Sequence, residues 1–150
     1  MDRTVSLANL GDFVKERLLL GRSVEIAVTG NSMFPLFVNK RDMVVLSPVI
    51  RLKKRQICFY QTESGQYLLH RIVKITKAGV IFLGDNRIDP EIPLSKDRVY
   101  GVVTEYVRRG KRKKVNCLFQ RIYAFIWCLS IKARPRLLKF LLKFKSKGNK

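Results

Sequence analysis

Apolar and polar positions change their period along this chain. Between residues 5 and 20, Leu7, Leu10, Val14 and Leu18 recur at helical spacing. This predicts an amphipathic helix that ends near Gly21 and covers one side of a core. From residue 24 onward the pattern becomes short apolar runs: VEIAV (24–28), MVVLSP (43–48), QICFYQ (56–61), YLLHRIVKIT (67–76), GVIFLG (79–84) and YGVVTEYV (100–107). Their β-branched and aromatic residues suit the pleated, half-buried surface of a strand. Glu63–Ser64–Gly65, Ala78–Gly79 and the loop 85–98 supply turn chemistry between them. Strands repeating at roughly ten-residue spacing predict a mainly β fold, a coiled and partly closed antiparallel structure with an N-terminal helix and a C-terminal basic helical tail.

The segment RRGKRKK (108–114) interrupts this pattern. It predicts a boundary between a domain over 1–107 and a tail over 108–150. In the tail, VNCLFQRIYAFIWCLSI (115–131) reads as a helix. Pro135 stops it and opens a second, RLLKFLLKFKSK (136–147). Apolar positions 118, 119, 122, 125, 126 and 129 recur at helical intervals and predict an exposed stripe. The alternative is that 115–131 packs against the β-domain.

Composition and charge sharpen this division. Apolar residues make up 47% and charged residues 28% of 150 positions, which suits a folded chain rather than a disordered one. Lys and Arg number 31 against 11 Asp and Glu, a net +20. Residues 1–107 hold 16 of the basic and all 11 acidic side chains, whereas 108–150 hold 15 basic and none acidic. A tail of that kind points to a polyanion, either anionic lipid or nucleic acid. No helix-turn-helix or base-stacking signature accompanies it, so nucleic acid is disfavoured.

Asp2, Arg3, Asp12, Lys15, Glu16 and Arg17 leave no apolar run in the first twenty residues for a signal peptide or a membrane span. The uncharged stretch 122–131 is about 15 Å of helix, half of a bilayer core. It suits an interfacial anchor, with Lys139, Lys143, Lys145 and Lys147 following it. The expected location is peripheral, on the cytoplasmic face of an anionic membrane.

Cys58, Cys117 and Cys128 stand at no metal or redox spacing, and His70 is the single histidine. No metal and no cofactor are expected. Three short elements carry candidate chemistry. In Thr29–Gly30–Asn31–Ser32–Met33–Phe34–Pro35, a small hydroxyl sits between a Gly turn and a Pro-restricted segment, just after a strand. Alone, this string is as readily an ordinary turn. His70 lies in Leu69–His70–Arg71–Ile72–Val73, and a lone strand histidine is most often structural. Gly84–Asp85–Asn86 follows a strand, where such a triplet is usually a turn.

In this order and with these gaps, the elements resemble the signal peptidase I family, whose wider superfamily includes the LexA-type self-cleaving repressors. Ser32–Met33–Phe34–Pro35 matches the nucleophile box. Arg41–Asp42–Met43–Val44–Val45 matches the Gly-Asp-hydrophobic box, with Arg41 where Gly is usual. His70–Arg71–Ile72 matches the base strand in its His form, the form of the archaeal, endoplasmic-reticulum and sporulation branch. Gly84–Asp85–Asn86 and Gly101–Val102–Val103 match the last two boxes.

The resemblance covers roughly 24–107 and implies a serine endopeptidase that cleaves signal or leader peptides from precursor polypeptides. Ser32 would be the nucleophile and His70 the general base, with Asp85 as third member and Asp89 as its alternative. A further family acid lies a few residues beyond the box, where this chain has Glu91. The backbone of Ser32, with Asn31 as a second contributor, would form the oxyanion hole. The alternative is a non-catalytic or LexA-like regulatory or nucleic-acid-binding relative. Family signal peptidases are held by an N-terminal transmembrane helix, and the first twenty residues here contain none.

Overall fold

The computed structural model describes residues 7–129, 131–137 and 139, with side chains from Leu10 onward. Helix α1 (Leu7–Leu19) is followed by β1 (Val24–Ala27), β2 (Asp42–Pro48), β3 (Ile57–Gln61), β4 (Tyr67–Ile75), β5 (Val80–Leu83), β6 (Val99–Arg108), β7 (Lys111–Lys114) and helix α2 (Leu118–Leu129). All strand pairs are antiparallel, in the order β1-β2-β6-β3-β4-β5, with β7 also on β6. The fold is mainly β, as the short apolar runs predict. The sheet stays open, since β1 and β5 do not pair. Register shifts at Val45/Leu46, Phe59/Tyr60 and Ile72/Lys74 are bulges that bend it locally.

Ile57, Cys58, Phe59 and Tyr60 are all buried because β3 is covered on both faces. Ile57 and Phe59 join Val14 and Leu18 of α1 with Val44, Leu46 and Val103. Cys58 and Tyr60 face the other way, among Ile72, Val80, Phe82 and Val102. Successive strand residues point to opposite faces, so two cores demand an uninterrupted apolar run. In α1, Val14 and Leu18 are buried as their spacing predicts, while Leu10 stays exposed.

The predicted boundary after residue 107 falls inside strand β6. Strand β6 runs on to Arg108. Arg109 (φ 51°) and Gly110 (φ 72°) then form a two-residue turn in the left-handed region, the geometry that closes a tight hairpin. Lys111–Lys114 returns as β7 beside β6. The basic run is therefore a charged sheet edge rather than a linker, and its charge protects that edge from further pairing. Arg112 bridges β7 to Glu25 at 2.6 Å and to Glu105 at 3.0 Å.

Helix α2 buries Gln120, Ala124 and Trp127, and its Tyr123 and Trp127 meet Asp85 in the loop after β5. Leu118, Phe119, Ile122, Phe125, Ile126 and Leu129 are exposed. Both expectations for this segment thus hold in part: one stripe packs and the apolar stripe faces outward. After a short 3-10 turn (Ile131–Ala133), residues 134–137 are helical again. Lys139 is helical too, and the rest of the helix expected over 136–147, with Lys143, Lys145 and Lys147, lies outside the described residues. Among the described residues, no helix is long and apolar enough to cross a membrane.

Candidate active site

The loop between β1 and β2 carries Ser32 and is held on both flanks. Met33, Leu36 and Phe37 sink into the core cluster beneath α1. The Asp42 carboxylate accepts bonds from the Val38 amide at 2.9 Å, from Arg41, and from Arg108 of β6. Arg108 also donates to the Leu36 carbonyl at 2.6 Å. Burial alone would raise the Asp42 carboxyl, but bonds from Arg41, Arg108 and Val38 hold it well below the usual carboxylate range. The Gly-Asp-hydrophobic match at 41–45 is therefore a structural clamp, and Arg41 in place of Gly is half of it.

On the other flank, the Asn86 amide donates to the Ser32 carbonyl at 2.8 Å and its side chain donates to the Asn31 carbonyl at 3.1 Å. Gly30 (φ 76°) supplies the left-handed turn that brings the chain back before Ser32. Among the described residues, the Ser32 N–H has no hydrogen-bond acceptor.

His70 is buried at 2% exposure in β4, directly across from Cys58. Its Nδ1 lies 2.5 Å from Glu91 Oε1 and 2.9 Å from the Tyr60 hydroxyl. Tyr60 in turn donates to Glu91 Oε2 at 2.5 Å. A carboxylate on Nδ1 fixes the proton there and leaves the lone pair on Nε2. That Nε2 is buried and has no hydrogen-bond partner among the described residues.

Gly84 keeps this nitrogen facing the serine loop. A methyl group there would stand 2.7 Å from the Ser32 carbonyl oxygen and 3.2 Å from His70 Nε2. The structure thus brings Ser32 and His70 to one place. The Ser32 hydroxyl makes no hydrogen bond to Nε2.

Asp85, the acid of the Gly-Asp-Asn box, faces Arg71 rather than His70. Asp85 is fully buried and binds Arg71, with Nε to Oδ1 at 2.8 Å and Nη2 to Oδ2 at 2.7 Å. It makes no bond to His70. Asp89, its alternative, is exposed and forms no ion pair among the described residues. Glu91 holds the imidazole instead, because the chain returns alongside β5: its amide donates to the Phe82 carbonyl at 2.9 Å, and Leu94 bridges to Val80. Burial pushes the Glu91 carboxyl up, but bonds from His70 and Tyr60 outweigh it and hold the group below its ordinary value. Burial, then the Glu91 bond, drives the Tyr60 phenol far upward, so it stays a donor. Tyr60 has no motif to mark it. Only its place opposite Leu68 on the paired strand brings it to the ring.

The tail also reaches this site. Trp127 Nε1 donates to the Asp85 carbonyl at 2.9 Å, and the Tyr123 hydroxyl lies 3.3 Å from Asp85 Oδ2. Buried Arg134 donates to the carbonyls of Gly84 at 3.0 Å and Arg87 at 2.9 Å. Beside Ser32, a cleft of ≈ 170 Å³ is lined by Ile26, Ala27, Met33, Phe59, Tyr67 and Leu69, among others.

Comparison with protein-family models, curated proteins and solved structures finds no match for this chain.

Proposed function

We propose that this protein is a serine endopeptidase of the signal peptidase I kind, with Ser32 as nucleophile, His70 as general base and Glu91 as the acid that orients the base. The observation that carries this reading is His70 itself. One ring nitrogen is locked to a carboxylate, and the other is buried, unpartnered and turned toward the Ser32 loop across Gly84. An unsatisfied buried polar atom costs stability and calls for a reason. Proton transfer from Ser32 supplies one.

In the reaction, Ser32 Oγ attacks the scissile carbonyl carbon while Nε2 takes its proton. Glu91 stabilises the imidazolium that forms, and the free Ser32 N–H meets the developing oxyanion. Collapse breaks the C–N bond as Nε2 returns the proton to the leaving amine. Water, activated by the same base, then releases the acyl group from Oγ.

Substrate binding follows from the sheet. β1 pairs only with β2 among the described strands, so its outer edge is free to add an extended peptide strand. That edge borders the cleft beside Ser32, whose size suits a small side chain. The substrate class, precursors with signal or leader segments, rests on the family resemblance. The test is labelling by a fluorophosphonate probe. Wild type is expected to be labelled and Ser32→Ala and His70→Ala are not; equal labelling of Ser32→Ala would reject the reading.

A further inference from the structure

The geometry points to a second site, a cleft that takes the phosphate headgroup of an anionic lipid while α2 inserts its outer face into the bilayer. This site is independent of the peptidase reading. The cleft, ≈ 710 Å³, opens between α2, the β6–β7 edge and the segment before β3. Lys53, Lys54, Arg55, Lys114 and Arg121 line it. All five are exposed, and none forms an ion pair with any described residue. Glu105, the one acid lining it, is taken by Arg112. At the cleft wall, Gln120 is 94% buried as a residue and lines the cleft. An amide on the cleft wall beside five cations without ion-pair partners suits an anionic acceptor group.

The apolar face of α2 adjoins this cleft. Leu118, Phe119, Ile122, Phe125, Ile126 and Leu129 are 47–75% exposed on the side of α2 away from Trp127. A continuous apolar stripe of this kind on a soluble surface marks an interface. Arg55 links the two features, its guanidinium 4.9 Å from the Phe125 ring centroid. Cations at the level where an apolar face ends match the boundary between acyl chains and anionic headgroups. A second copy of this chain would bring the same cations against each other, so charge complementarity selects the bilayer over self-association.

The experiment is co-sedimentation of the full chain with phosphatidylcholine vesicles, with and without 30 mol% phosphatidylglycerol. Wild type should bind the mixed vesicles and bind pure phosphatidylcholine far more weakly. Each basic residue at an anionic surface contributes about fivefold, so Lys114→Ala with Arg121→Ala should weaken binding about 25-fold. Arg22→Ala with Lys96→Ala removes the same charge from exposed positions outside the cleft and should cost severalfold less.

Gln120→Leu keeps the charge and should weaken binding to the mixed vesicles alone. Phe119→Ser with Ile126→Ser should abolish the part of binding that survives high salt. Circular dichroism of each variant separates lost binding from lost fold. Equal loss in the two charge pairs would reduce the cleft to a diffuse field and overturn the proposal. Equal binding to both vesicle types, or a concentration-dependent dimer that vesicles do not compete away, would do the same.

Discussion

His70 and Arg71 are neighbours on one strand, yet their ion pairs do opposite things. Alternation along β4 sends the two side chains to opposite faces of the sheet. Arg71 meets Asp85 in a bidentate pair, gives its remaining nitrogen to the Arg55 carbonyl at 2.9 Å, and lies over the Tyr123 ring. Every polar group there is answered. His70 meets Glu91 with one nitrogen and leaves the other unanswered. Burial would lower the Arg71 guanidinium, but Asp85 beside it raises it instead. A saturated pair holds the loop 84–91 in place, and an unsaturated pair leaves one imidazole nitrogen open. The saturated pair is also the one that α2 grips, through Tyr123 and Trp127.

The sharpest test of this difference is Glu91→Gln. An amide on Nδ1 upsets the tautomer without opening a cavity. Turnover of a peptide substrate should fall by about 10⁴, by analogy with the loss on neutralising the acid of a Ser-His-Asp triad. The melting temperature should move little. If turnover survives, the enzyme works as a bare Ser32–His70 dyad and Glu91 is structural.

Asp85→Asn should show the reverse. Removing one charge from a fully buried pair costs about 3–5 kcal/mol. The measurement is a denaturant midpoint, with turnover read at a temperature where the variant is still folded. A stable Asp85→Asn protein with lost turnover would return Asp85 to the catalytic role that its box position suggests.

The smallest effect is expected from Tyr60→Phe, which removes one of the bonds holding the Glu91 carboxyl low. Glu91 has a depressed folded value, so its stabilising contribution is present above pH 4.5, its ordinary value, and is lost as pH falls through the folded value. In Tyr60→Phe the carboxyl moves back toward 4.5, and the contribution becomes smaller. Thermal melts between pH 6 and pH 3 should show a smaller Glu91-dependent loss in the variant than in wild type. Identical acid profiles would mean that Tyr60 does not act through Glu91.

Much of this molecule is legible in the order of its residues. Six of the seven strands among the described residues, and helices α1 and α2, follow from local apolar periodicity, since a covered face needs apolar residues at the spacing of its own element. Ser32 and His70 can be named as candidates because each sits in a short box whose chemistry is local. The seventh strand is hidden: Lys111–Lys114 owes its form to the Arg109–Gly110 turn and to pairing with β6, not to apolar side chains.

The acid is hidden for a related reason. Asp85 and Glu91 stand close in sequence, and both are carboxylates. Which of them meets an imidazole and which a guanidinium depends on the return of 91–94 along β5 and on the opposite faces of residues 70 and 71. Composition determined that 108–150 is basic. Only the tertiary structure decided that Trp127 and Arg134 of this tail meet the loop 84–87. Periodicity reports what a segment can bury. It does not report which distant segment comes to meet it, and the long-range contacts at this site are of that second kind.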